Sequence, residues 1–178
     1  APTIKKERFI EMVETAKQHI RNGDIFQVVL SQTFEADYRE NALTLYRKLR
    51  TSNASPYMFF MEFGDYTVLG TSPESLVKVQ KGLVTTNPIA GTKPRGQNAQ
   101  EDEAIANALL QDEKEIAEHK MLVDLGRNDV GRVAQVGTVA VTKYMEIEKY
   151  KYVMHIVSEV TGKLRDDAHL VDVTASSL

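Results

Sequence analysis

The chain has 178 residues, no cysteine and a formal net charge of −3. Disulfides, thiolate metal sites and a thiol nucleophile are therefore excluded, and a near-balanced charge gives no field to attract nucleic acid or an anionic membrane surface. No run of 18 apolar residues and no signal-peptide pattern occurs, so one soluble cytoplasmic domain is expected.

The first predicted element is an amphipathic helix over 4–22, with Phe9, Met12, Val13, Ala16 and Ile20 at helical spacing and Gly23 placed to end it. Residues Ile25 to Phe34 then alternate sides as a strand would, with Phe26, Val28, Leu30 and Phe34 on one face. Gln27 shares the other face with Ser31 and Thr33, and such a mix can meet solvent or line a pocket; the alternation alone favours solvent. Asn41 is placed to cap a second helix whose apolar stripe is Ala42, Leu45, Tyr46 and Leu49.

Tyr57 to Phe63 reads as a buried strand, turned back at Gly64-Asp65 into a second strand of a hairpin. Glu74 follows Ser72-Pro73 just before the next strand, where a carboxylate is either a turn cap or a general acid at the mouth of a sheet. After the Lys81-Gly82 turn, the segment Asn87 to Gly96 reads as a loop with two prolines and two glycines. Its exposed amides and its basic residues Lys93 and Arg95 suit a carboxylate or phosphate, although generic loops share that composition. Gln97 to Glu103 reads as a polar linker.

The longest helical pattern runs from Asp112 to Asp129, with Ile116, Ala117, Met121, Leu122 and Leu125 on its predicted buried face. Glu115 and Glu118 lie three apart on one side. A hard divalent cation such as Mg²⁺ takes carboxylate oxygens so arranged, but a Glu/Lys-rich face is more often simply solvated. Gly126 is expected to break the helix ahead of Arg127, Asn128 and Asp129. Beyond it the pattern predicts three short strands with turns near Gly137 and Glu148, and a final helix after Asp166-Asp167. His155 sits among aliphatic residues, where a histidine is more often satisfied structurally than catalytic.

In this order, GDIFQVVLSQ, SPYMFF, TSPE, PIAGTKPRG, DEKEIAEHKMLVDLGRND and YVMHIVS resemble the chorismate-utilising enzymes, and among them the large subunits of the anthranilate synthase type. The resemblance covers nearly the whole chain. It implies an α+β fold in which antiparallel sheets form a sandwich with flanking helices, and a chemistry that aminates chorismate with ammonia and eliminates pyruvate, the first step of tryptophan biosynthesis.

The same resemblance implies site roles. Glu118 would ligate Mg²⁺ with Glu115 nearby, Glu74 would act as general acid, and Gly91 and Thr92 would contact substrate. His155 would assist pyruvate elimination, while Pro56, Tyr57 and Met58 would form half of a tryptophan feedback site. Ammonia would come from a glutamine amidotransferase subunit. Two siblings rank lower. Aminodeoxychorismate synthases carry a lysine where this chain has Ala90, and isochorismate synthases carry one where it has Gln27, a residue unable to act as a base, which agrees with ammonia as the nucleophile.

The family pattern continues past Leu178 with further substrate and metal ligands. Residues 1–178 are thus expected to be a partial chorismate-binding domain lacking its C-terminal part, inactive alone. A non-catalytic ligand-binding or subunit-contact module is the remaining alternative.

Overall fold

A computed structural model describes all residues, Ala1–Leu178, as two compact units. The first comprises Ala1–Ser52 and Phe60–Leu69. Its helix α1, Lys6–Asn22, ends as predicted at Gly23, which adopts φ 79 and donates its N–H to the Ile20 carbonyl. This is the left-handed closure that glycine makes without steric cost. No residue of α1 is fully buried, so its apolar stripe is only half covered. Helix α2, Ala42–Ser52, starts where Asn41 Oδ1 accepts the Leu43 N–H at 2.7 Å, the expected cap.

The segment from Ile25 to Phe34 does not form the predicted strand. Apart from one bridge between Phe34 and Pro2 it has no partner backbone, and Phe26 and Val29 are 85% and 84% exposed. Alternation supplies a face but not a neighbour, and a strand exists only in a ladder.

The second unit comprises Asn53–Phe59 and Gly70–Leu178. The hairpin of β1 (Tyr57–Glu62) and β2 (Thr67–Ser72) contributes residues to each unit and turns at Gly64 with φ 82, but Phe59 and Met61 are partly exposed rather than buried. The main sheet is antiparallel and built on β7, Val153–Lys163. Along one edge of β7 runs β6, Ala140–Lys149; these two long strands replace the three short ones expected. Along its other edge lie β4 (Leu83–Thr86) and β5 (Ile89–Pro94) in tandem. The break between them at Asn87-Pro88 is bridged by the Pro88 carbonyl, which accepts the Ser158 N–H at 2.9 Å. Strand β3, Lys78–Gln80, pairs with β4 across Lys81 and Gly82, both at positive φ as a tight primed hairpin turn requires.

The segment Asn87 to Gly96 is therefore a strand for most of its length, not a loop. Its alternate amides are taken by β7, with one register shift at Gly91. Helix α3, Ala99–Leu109, absorbs most of the expected polar linker, with Asn98 Oδ1 accepting the Glu101 N–H.

Helix α4 runs from Glu113 to Val133, straight through Gly126. Its buried face is His119, Val123, Gly126, Val130 and Val133, on a different side of the helix from the predicted stripe and sharing no residue with it, while Leu125 is 52% exposed. Close approach explains the rotation. A Cβ at Gly126 would lie 3.1 Å from Thr86 Cγ2, and one at Gly162 would lie 2.7 Å from both Ala134 Cβ and Val130 Cγ1. Glycines on both elements let the helix and β7 meet.

Two apolar clusters result: Val84, Val123, Val130, Val133 and Val160 towards one end, and Ala106, Leu109, Met154 and Ile156 towards the other. Each fully buried aliphatic side chain contributes about 1.5–3 kcal/mol. Helix α5, Leu170–Ser176, closes on α4 through Val173. No helix is long and apolar enough to cross a membrane.

Candidate active site

Strand β7 alternates, so the face that packs on α4 carries Met154, Ile156, Ser158 and Val160, while His155 points to the other side. Its imidazole is held by the neighbouring strand. Nδ1 lies 3.0 Å from Thr92 Oγ1 and 3.3 Å from the Gly91 carbonyl oxygen. A carbonyl can only accept, so Nδ1 carries a proton, and the neutral tautomer consistent with this has its lone pair on Nε2, the arrangement of a general base. Gly91 reaches this position through φ 70, a conformation that favours glycine and that coincides with the register shift of β5.

Glu74 enters from the turn after β2. Ser72 Oγ donates to its carbonyl at 2.9 Å and fixes that turn. Desolvation raises the Glu74 carboxyl above its ordinary range, and the nearby His155 pulls it partway back. A carboxyl raised by desolvation within electrostatic range of an imidazole is the arrangement of a general acid near a base. Glu74 also borders a cleft of about 410 Å³ whose other walls include Asn87, Leu122, Leu125 and Asp129. Asp129 is half-buried there and its carboxyl is raised by desolvation as well.

Gly91 faces two ways. Its carbonyl meets His155, while a Cβ at its position would lie 3.3 Å from Glu115 Oε2. Glu115 and Glu118 are both half-buried on α4, and neither takes part in an ion pair. No group of three acidic or imidazole side chains gathers at metal distance. Mg²⁺ commonly takes only one or two protein carboxylates and completes its octahedron with water and substrate oxygens, so two carboxylates without ion pairs on α4, one of them against Gly91, fit it.

The remaining expected residues are more dispersed. Pro56 and Tyr57 are exposed and Met58 half-buried at the start of β1, with Tyr57 close enough to influence Tyr150. Gln27 is exposed on the unpaired segment of the first unit. Arg95 is not free to bind an anion, because its guanidinium grips Asp102.

Tyr150 and Ser158 are the residues that sequence reasoning passed over. The Tyr150 ring meets the His155 ring edge-on, with centroids 5.5 Å apart. Its hydroxyl donates to Glu148 Oε2 at 2.7 Å, which, with desolvation and the Glu148 charge, pushes the phenol up to about 12.

The site thus sets a carboxyl raised by desolvation near an imidazole oriented by β5, with two carboxylates free of ion pairs on the adjoining helix. The chorismate binding enzyme family matches residues 1–178, and the chain belongs to that family. It is 55% identical over 175 residues to an anthranilate synthase component 1 of Acetivibrio thermocellus, covering 98% of this chain and 35% of that protein. It is 51% identical over 176 residues to the protein of the same name from Pseudomonas aeruginosa, covering 99% and 36%. The crystal structure of anthranilate synthase component I from Streptococcus pneumoniae TIGR4 superposes with a TM-score of 0.83 at 51% identity, over 99% of this chain and 38% of that one. A putative 2,3-dihydroxybenzoate-specific isochorismate synthase from Bacillus anthracis shares the fold, with a TM-score of 0.71 at 24% identity. The chain spans about a third of the length of the curated relatives it matches.

Proposed function

We propose that the protein is the chorismate-converting component of an anthranilate synthase, and that Glu74 and His155 are its acid and base. The observation that carries this reading is the pair itself: a carboxyl raised by desolvation, next to an imidazole whose Nδ1 proton is fixed by Gly91 and Thr92.

The reaction divides between them. As ammonia forms a bond to C2 of chorismate, the C4 hydroxyl departs as water, and the proton it needs comes from the Glu74 carboxyl. His155 Nε2 then accepts the C2 proton, the C–H electron pair completes the aromatic ring as the C3–O bond breaks, and the departing enolpyruvate takes up a proton at its methylene carbon to become pyruvate. A carboxyl raised by desolvation suits the first role, and a lone pair on Nε2 suits the second. Glu115 and Glu118 would hold Mg²⁺, which when bound supplies positive charge to the substrate carboxylates. Gly91 and Thr92, in contact with His155, would border the substrate.

The parts played by a glutamine amidotransferase subunit as ammonia source, by tryptophan as inhibitor at Pro56, Tyr57 and Met58, and by the cytoplasm as location rest on the family resemblance and on the relatives' identity as component 1. Because the chain spans only a third of those relatives, the activity is proposed for the full-length protein. The test is anthranilate fluorescence with chorismate, Mg²⁺ and ammonium in the full-length protein. Glu74→Gln and His155→Gln should each lower kcat by about 10²–10⁴-fold. Full turnover by either variant would defeat the assignment.

A further inference from the structure

The proposed base is held at one nitrogen by Thr92 and Gly91, but that contact alone leaves the plane of its ring free to swing about the Nδ1 bond. A second constraint comes from Tyr150, whose ring meets that of His155 at 63° with centroids 5.5 Å apart. Edge-to-face contact of this kind restricts ring rotation.

Tyr150 lies in the tight β6–β7 turn, where its N–H donates to the Val153 carbonyl at 2.8 Å. An exposed aromatic at such a turn has no reason to hold one position unless its backbone is tied down. Arg95 ties it twice. The Arg95 Nη1 donates to the Tyr150 carbonyl at 2.6 Å, and the Arg95 N–H donates to the Tyr152 carbonyl at 3.0 Å.

Arg95 is in turn fixed by Asp102, in the first turn of α3 and only 4% exposed. Arg95 Nε donates to both carboxylate oxygens at 3.0 Å, and Nη2 donates to Oδ2. The Gly96 N–H adds a bond to Asp102 Oδ1 at 2.8 Å. Residue 96 must be glycine for this, since a Cβ there would lie 2.6 Å from Glu101 Cβ and 2.9 Å from Asp102 N. A planar fork anchored at one end and donating at the other is a task lysine cannot perform.

We infer that Tyr150 is a positioning residue for His155, and that Arg95 and Asp102 form the latch that sets it. The functional consequence rests on His155 being the base, as proposed above; the positioning itself does not. The latch acts on ring orientation, so its loss should lower kcat and leave KM unchanged, because binding of substrate does not require the correct His155 plane.

The experiment reads orientation and turnover separately. With histidine labelled at Cε1, the four ring resonances of the chain are recorded, and His155 is assigned by its disappearance in His155→Gln. Tyr150→Ala and Arg95→Lys are expected to shift the His155 resonance and leave those of His19, His119 and His169 in place. Tyr150→Phe, which keeps the ring, is expected to retain it. In the full-length protein, Arg95→Lys and Tyr150→Ala should lower kcat roughly tenfold to a hundredfold at constant KM, with Tyr150→Phe near the unmodified value. A His155 resonance unmoved in both Tyr150→Ala and Arg95→Lys would overturn the inference. Failure of the underlying reading shows elsewhere, as undiminished turnover in His155→Gln.

Discussion

Ser158 Oγ lies 2.6 Å from His119 Nε2 in the middle of the helix–sheet interface, where both residues are fully buried. The same hydroxyl accepts the Met145 N–H at 2.9 Å, so one oxygen joins α4, β7 and β6. Met145 sits at φ 55 beside the register shift of β6, a backbone state uncommon for a non-glycine residue. Ser158→Ala therefore strips a partner from a buried imidazole and from a part-buried amide. It should destabilise the fold by about 1–3 kcal/mol, measured by denaturant unfolding. A change within about 0.5 kcal/mol, typical of surface substitutions, would show that the hydroxyl carries no such role.

The Arg95 guanidinium, then the Gly96 amide, hold the Asp102 carboxyl down to about 2 from an ordinary 3.8. A depressed carboxyl stabilises the fold above its unfolded value and loses that contribution as pH falls through the folded one. The stability difference between the unmodified chain and Asp102→Asn should be constant above pH 4 and shrink as pH falls from there towards 2. Thermal unfolding across that range checks it. A difference independent of pH would separate Asp102 from the charge of Arg95.

Glycine replacement should be costly where the backbone demands it. Gly91→Ala combines φ 70 with a Cβ 3.0 Å from Leu109 Cδ1, and should cost about 1–3 kcal/mol. Gly162→Ala is at an ordinary φ but drives a methyl into Ala134 and Val130, with a similar penalty of about 1–3 kcal/mol from overpacking. Gly131, with nothing within 4 Å of its Cβ position, should tolerate alanine or gain slightly from its better helix propensity. Chemical denaturation of the three variants orders them, and equal costs would contradict the packing described.

Loss of either free carboxylate on α4 should weaken divalent-cation binding. Glu118→Gln and Glu115→Gln are each expected to lower Mn²⁺ affinity of the full-length protein at least about tenfold, read by electron paramagnetic resonance. Unchanged affinity in both would remove the cation from this helix.

The helices were largely legible in the sequence because their signals are local: Gly23 closes α1 and Asn41 opens α2 as their residue types dictate. What was not legible depended on neighbours. The alternating segment from Ile25 finds no strand to pair with, and Asn87 to Gly96, rich in proline and glycine, becomes a strand because β7 offers its edge. The α4 face was misread because periodicity counts leucines, whereas the interface is set by Gly126, Gly162 and a buried His119 answered by Ser158. Glu74, His155, Thr92 and Gly91 were each visible by resemblance, and the fold brings them together. Tyr150 was not, since an aromatic in a charged turn carries no sign of the ring beside it.

The measurement that tests the account most directly is the identity of the product released from chorismate by the full-length protein, with Mg²⁺ and ammonium, resolved by chromatography. Anthranilate and pyruvate in equal amounts, both lost in Glu74→Gln, is the predicted result. Release of isochorismate, or of an amino-cyclohexadiene with its enolpyruvyl group intact, would contradict it and show that Gln27 and Ala90 do not set the chemistry.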